Sequence, residues 1–202
     1  MEKFIKNFLN ESSQISSNLN IQKIALFINA IKKVKKDKGR IFFLGVGGSA
    51  GNASHAVNDF RKIVGIEAYA PTDNVSELTA RTNDEGWEKI FSEWLIISRL
   101  NNKDIIFIFS VGGGDIKKNI SVNLIRAIQL AKKRKSKVLS IVGKADGYAA
   151  RNSDLSIIIP VKDKTLLTPC SEAYQAVIWH LIVSHPKLKE KETKWESIIE
   201  EE

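Results

Sequence analysis

A single cysteine, Cys170, in a chain of 202 residues excludes an internal disulfide. No apolar run is long enough for a membrane span, and the first residues lack the uninterrupted apolar stretch of a signal peptide. Internal repeats, low-complexity tracts and linker-like segments are also missing, so the length points to one domain with a substantial core. Together these absences predict a cytoplasmic protein with no membrane partner. Aromatic residues do not interleave with the lysines, which argues against a nucleic-acid partner.

Positive charge is plentiful. The chain carries 31 Lys and Arg against 23 Asp and Glu, a net charge of +8, enough to concentrate phosphorylated metabolites near its surface. The lysines gather at 32–38 and 132–137, each time just before an apolar run. Cations in that place complement a helix C-terminus, and a solvated helix end explains both clusters.

Residues 2–19 and 21–37 show apolar positions at helical spacing, Phe4, Ile5, Phe8, Leu9 and Ile15 in the first and Ile24, Phe27, Ile28, Ile31 and Val34 in the second. Two amphipathic helices are expected there, with stripes that need a covering surface. Four short β-branched runs follow at 41–44, 105–109, 138–142 and 155–160, with a fifth, weaker candidate at 66–69. Their lack of polar alternation marks strands buried on both faces of a parallel sheet. Helical patterns at 50–64, 84–100, 119–134 and 171–184 separate them. The expected fold is therefore α/β: a doubly wound, mainly parallel five-stranded sheet flanked by helices, with an N-terminal helical extension. The expected divisions are N-terminal helices at 1–38, an α/β core at 39–186 and a charged tail at 187–202 carrying a short helix.

Two of the apolar runs open into glycine turns, Gly45-Val46-Gly47-Gly48-Ser49 and Ser110-Val111-Gly112-Gly113-Gly114-Asp115. Turns of this kind bring backbone N–H groups close to an anion, and the start of the following helix favours its charge. Ser49 and Ser110 can add hydroxyls to a phosphate site or simply cap helices. His55 and Asp59 stand four apart on the helix after the first turn, about 6 Å apart along its axis. That spacing suits a shared metal, an acid–base pair, or a plain helical His–Asp hydrogen bond. His180 lies on a late apolar helix, where a packed imidazole is the ordinary reading, and His185 before Pro186 suits a helix end. Asn83-Asp84 before Gly86-Trp87 reads as a helix start with Asp84 as cap. Gly143-Lys144-Ala145-Asp146-Gly147 is a further strand-end loop, able to touch a polar ligand or to serve only as a turn.

Taken in order, Gly45 to Ala50 with His55 and position 59, then Asn83-Asp84-Glu85-Gly86-Trp87, then Thr168-Pro169 leading to His180, resemble the SIS (sugar isomerase) domain family, most closely its phosphoheptose isomerases. The likeness spans nearly the whole chain. It implies an intramolecular oxidoreductase, an aldose–ketose isomerase converting sedoheptulose 7-phosphate to D-glycero-D-manno-heptose 7-phosphate through an enediol. It further implies a homotetramer with sites built between subunits.

On this resemblance Asp59 and His180 take the catalytic positions, and His55, Asp59, Glu172 and His180 those that hold zinc in some members. Candidate contacts to the sugar phosphate are Gly47, Gly48, Ser49, Asn52, Asp84, Ser110, Gly112, Gly113, Asp115 and Glu172. A carboxylate and an imidazole can together remove a carbon-bound proton and serve the oxygens near neutral pH, and a divalent metal can stabilise the enediolate. Four positions depart from the family pattern. Asp59 replaces a glutamate, Glu172 replaces a glutamine, and Gly112 and Asp115 replace two serines of the phosphate loop. The altered loop leaves open a non-catalytic SIS protein that binds a sugar phosphate or a protein partner.

Overall fold

Two helices open the chain and differ in what they bury. In the computed structural model, which describes residues 1–199, helices α1 (Glu2–Ser17) and α2 (Ile21–Lys36) lie close to their expected ranges. Asn20 caps α2 by accepting from the Lys23 N–H, and α2 buries Ile24, Phe27, Ile28, Ile31 and Val34. Of its hydrophobic residues α1 fully buries only Ile15, leaving Phe4, Ile5 and Leu9 exposed. Its stripe is thus largely uncovered within one chain.

Strands β1 (Ile41–Leu44), β2 (Ala68–Tyr69), β3 (Ile105–Ser110), β4 (Lys137–Val142) and β5 (Leu155–Ile158) form one parallel sheet in the order β2-β1-β3-β4-β5. Because side chains alternate along a strand, β1 and β3 feed two cores. Ile41, Phe43, Ile105, Phe107 and Phe109 face α2, α3 (Gly48–Lys62) and α8 (Leu167–Ser184). Phe42, Leu44, Ile106 and Ile108 face α5 (Ile90–Ile97), α6 (Val122–Lys133) and α7 (Tyr148–Asn152). On the first side the Phe43 ring packs tilted against Phe60 and stacked on Phe107, at 5.0 and 5.1 Å between ring centres. The chain reverses direction across the sheet between β1 and β3, the place where ligands of open α/β sheets gather. No helix among the described residues is long and apolar enough to cross a membrane.

Two expected helices move. In place of one helix at 84–100 there are α4 (Val75–Glu85) and α5, parted by Gly86 at φ +90. Asp84 therefore sits in the last turn of α4 and caps no helix start; Asn74 caps α4 by accepting from the Glu77 N–H. Helix α6 begins at Val122, because residues 115–120 form a loop closed by two backbone hydrogen bonds between Asp115 and Ile120.

The C-terminal stretch folds back. Leu188 is buried, and the Glu190 and Lys191 N–H groups donate to the Ile63 carbonyl at 3.0 and 3.2 Å, just beyond α3. Glu190 also pairs with Lys35 of α2. A short helix, α9 (Lys194–Ile199), follows; residues 200–202 of the expected tail lie outside the described residues. Cys170 is buried, and desolvation pushes its thiol pKa up, so it stays protonated near neutral pH.

Candidate active site

β1 runs into Gly45-Val46-Gly47, and Gly47 adopts φ +64 and ψ −130, a conformation that residues with side chains rarely reach. That bend aims the start of α3 across the carboxyl ends of β1 and β3. Asn52, His55 and Asp59 project from one side of α3, at offsets of three and seven residues. Helix α8 packs along this side. Asn52 Nδ2 donates to the Glu172 carbonyl and to Gln175 Oε1, both at 2.9 Å, and the His55 ring meets Trp179 edge-on at 4.7 Å.

At the far end of the seam three polar groups converge. His180 Nε2 lies 3.6 Å from Asp59 Oδ2, and His55 Nε2 lies 3.8 Å from the same oxygen. His180 Nδ1 stands 2.8 Å from the Ala176 carbonyl. A carbonyl only accepts, so Nδ1 carries a proton and donates it, which leaves Nε2 as the ring atom that faces Asp59. Asp59 is buried and its Oδ1 accepts from Asn58 Nδ2 at 2.9 Å. A proton on Nε2 or a metal ion can bridge this nitrogen and the Asp59 carboxylate.

The donor set fits either. The ligand atoms of His55, Asp59 and His180 all lie within 4.8 Å of one another, and both His side chains are about half exposed. Around a tetrahedral zinc, ligand atoms stand about 3.4 Å apart, so only a small closure is required. The hydrogen bond from Nδ1 to a backbone carbonyl is also the usual support of a ligating imidazole.

Glu172 is not one of this group. It precedes His180 by eight residues, about 12 Å along α8, and its carboxylate rests on Gly48 at the opposite end of the seam. A Cβ added to residue 48 would stand 2.4 Å from Glu172 Oε2. The imidazole of His180 and the carboxylate of Asp59 meet within one chain, where the family resemblance implies a site built between subunits.

The remaining expected contacts divide. Ser49 is buried in the first turn of α3, beside Gly47 and Gly48 and near Asn52. Ser110 Oγ accepts from the Gly113 N–H at 2.9 Å, so this hydroxyl is already engaged in its own turn. Gly112 is unobstructed, while Asp115 pairs with Ile120 and its Oδ1 accepts from the Lys118 N–H. Asp84 is exposed and accepts from Asn83 Nδ2, and it makes no described contact with the His–Asp group. His185 Nδ1 accepts from the Lys187 N–H, the helix-end role its place suggests. Two residues of the seam, Gln175 and Trp179, were not evident from motifs. Both are fully buried, and Gln175 Nε2 and Trp179 Nε1 have no hydrogen-bond partner among the described residues. The available signal was a buried amide in an otherwise apolar helix, which must find a partner.

A model of the SIS domain matches residues 3–143. The chain belongs to the SIS domain family. The phosphoheptose isomerase of Buchnera aphidicola subsp. Schizaphis graminum is 33% identical over 162 residues, covering 78% of this chain and 77% of that protein. This likeness groups the chain with the phosphoheptose isomerases. Among solved structures, a phosphoheptose isomerase from Francisella tularensis aligns with a TM-score of 0.78 at 20% identity, covering 90% of this chain and 95% of that one. GmhA, the phosphoheptose isomerase of Neisseria gonorrhoeae, aligns with a TM-score of 0.76 at 21% identity, covering 90% and 96%. At these identities the structural matches speak for the fold.

Proposed function

We propose that this SIS protein is a ketose–aldose isomerase converting sedoheptulose 7-phosphate to D-glycero-D-manno-heptose 7-phosphate through an enediol. The single observation that carries the reading is His180 Nε2 facing the Asp59 carboxylate at 3.6 Å. Asp59 and His180 exchange the protons: one group holds the proton taken from carbon while the other serves the substrate oxygens. Ser49, the N–H groups after Gly47 and the Gly112–Gly113 turn receive the phosphate, and Asn52, Asp84, Asp115 and Glu172 are the candidates for the sugar hydroxyls and the loop around them.

His55, Asp59 and His180 would hold zinc. When bound, zinc supplies a Lewis acid for the enediolate oxygens. The exposed stripe of Phe4, Ile5 and Leu9 supports assembly into a homotetramer. The working compartment is the cytoplasm.

A coupled assay with sedoheptulose 7-phosphate, with and without added zinc, tests the activity; no conversion in either condition would count against it. A second reading, a non-catalytic sugar-phosphate binder, is favoured by the Ser110 hydroxyl being engaged with Gly113. Metal analysis separates the two. The isomerase reading expects about one zinc per chain, lost in His55→Ala, and a pure binder expects none.

A further inference from the structure

The loop at 115–120 bounds a cavity that lies apart from the His55–Asp59–His180 group and shares only Gly112 and Asp115 with the proposed substrate contacts. Its volume is about 410 Å³, within the range of small-ligand sites, roughly 300–1,000 Å³. The opposite wall comes from the segment after β4 and from α7. None of Ser49, His55, Asp59, Glu172 and His180 borders it; the Gly112–Gly114 turn stands at its edge.

The lining is cationic. Lys117 and Lys118 enter from the loop, Lys144 from the β4 end and Arg151 from α7, against the carboxylates of Asp115 and Asp146. Lys144 lies 3.5 Å from Asp146, while Lys117, Lys118 and Arg151 form no ion pair among the described residues. Two positive charges are therefore in excess around a concave surface. Lysines arranged in this way hold phosphate oxygens as point charges, and a guanidinium can engage them two at a time.

The cavity also has an apolar, flat-sided component. Tyr148 is half-buried in the lining, and Arg151 stands three residues on, on the same side of α7. Ile116 and Ile120 flank the opening with 57% and 50% of their surface exposed. A sugar phosphate has no aromatic ring to offer such groups. A heterocyclic base does, since it can lie between an aromatic ring and aliphatic side chains while cations hold its phosphates.

We infer that this cavity is a second ligand site, built by the 115–120 loop for a nucleoside diphosphate or a ligand of that chemistry. It is separate from the His55–Asp59–His180 group. Its occupancy rests on the cavity alone and not on the isomerase reading.

Isothermal titration calorimetry of the full chain tests it, with ADP and inorganic pyrophosphate as probes and thermal melts confirming that each variant is folded. Saturable binding of one ADP per chain is expected, weakened at least tenfold in Lys118→Ala and in Lys144→Ala and unchanged in His180→Ala. Tyr148→Ala should weaken ADP several-fold and leave pyrophosphate unchanged. The inference is overturned if wild-type protein shows no saturable ADP binding at millimolar concentration, or if the lysine variants bind as wild type does. Loss of ADP binding in His180→Ala would place the anion in the other site and also overturn it. Equal binding by Tyr148→Ala would remove the base and with it the nucleotide class.

Discussion

The two glycine turns look alike as strings of residues and are used differently. At the first, the chain passes from β1 through Gly47 straight into α3, and Asn52, His55 and Asp59 on the inner side of that helix meet α8. At the second, the chain leaves β3, turns on Gly113 and Gly114 at φ +74 and +89, and loops through 115–120 before α6 begins. One junction aims a helix at a partner helix and gathers reactive groups. The other satisfies its own hydroxyl internally and opens a cationic cavity. A glycine turn therefore specifies a backbone that can bend, and the element that follows decides what the bend presents.

The sharpest way to break this contrast lies in the first region. Asp59→Asn removes the carboxylate on which both imidazoles converge, and kcat in the sedoheptulose 7-phosphate assay should fall about 10²–10⁴-fold with the thermal melt nearly unchanged. A smaller effect is expected from Gly47→Ala, which forces a side chain into the φ +64 bend; urea unfolding should show a loss of about 1–3 kcal/mol. In the second region Ser110→Ala deletes the acceptor for the buried Gly113 N–H, at a cost of about 1 kcal/mol by the same measurement. The smallest change belongs to Gly112→Ala. A Cβ there meets nothing within 4 Å, and stability should stay within about 0.5 kcal/mol of wild type. If Gly112→Ala proved as damaging as Gly47→Ala, the distinction between the turns would fail.

The sheet was legible because uninterrupted β-branched and aromatic runs have few alternatives to a strand buried on both faces. Strand and helix order came with it. The helix expected at 84–100 failed for a local reason: Asn83-Asp84-Glu85-Gly86 is polar enough to read as a start, yet Gly86 acts as the stop of α4. The loop at 115–120 carries no periodicity, so nothing in it announced that α6 would begin late. Within the site, the His55–Asp59 pair could be read from spacing on one helix. The approach of His180 could not, because it depends on how α3 and α8 pack across 121 residues of sequence. Gln175 escaped notice for the same reason, since its partner Asn52 is 123 residues away.

The fold-back of the chain end bears on α3 as well. That helix has Glu172 laid against its first residue, and just beyond its last turn the Ile63 carbonyl receives two N–H groups from Glu190 and Lys191. Both extremities of the rod bearing His55 and Asp59 are thus anchored by stretches more than a hundred residues downstream. Trimming the terminus with a protease after residue 186 would release one anchor, leaving the imidazole–carboxylate pair on a beam clamped at a single end.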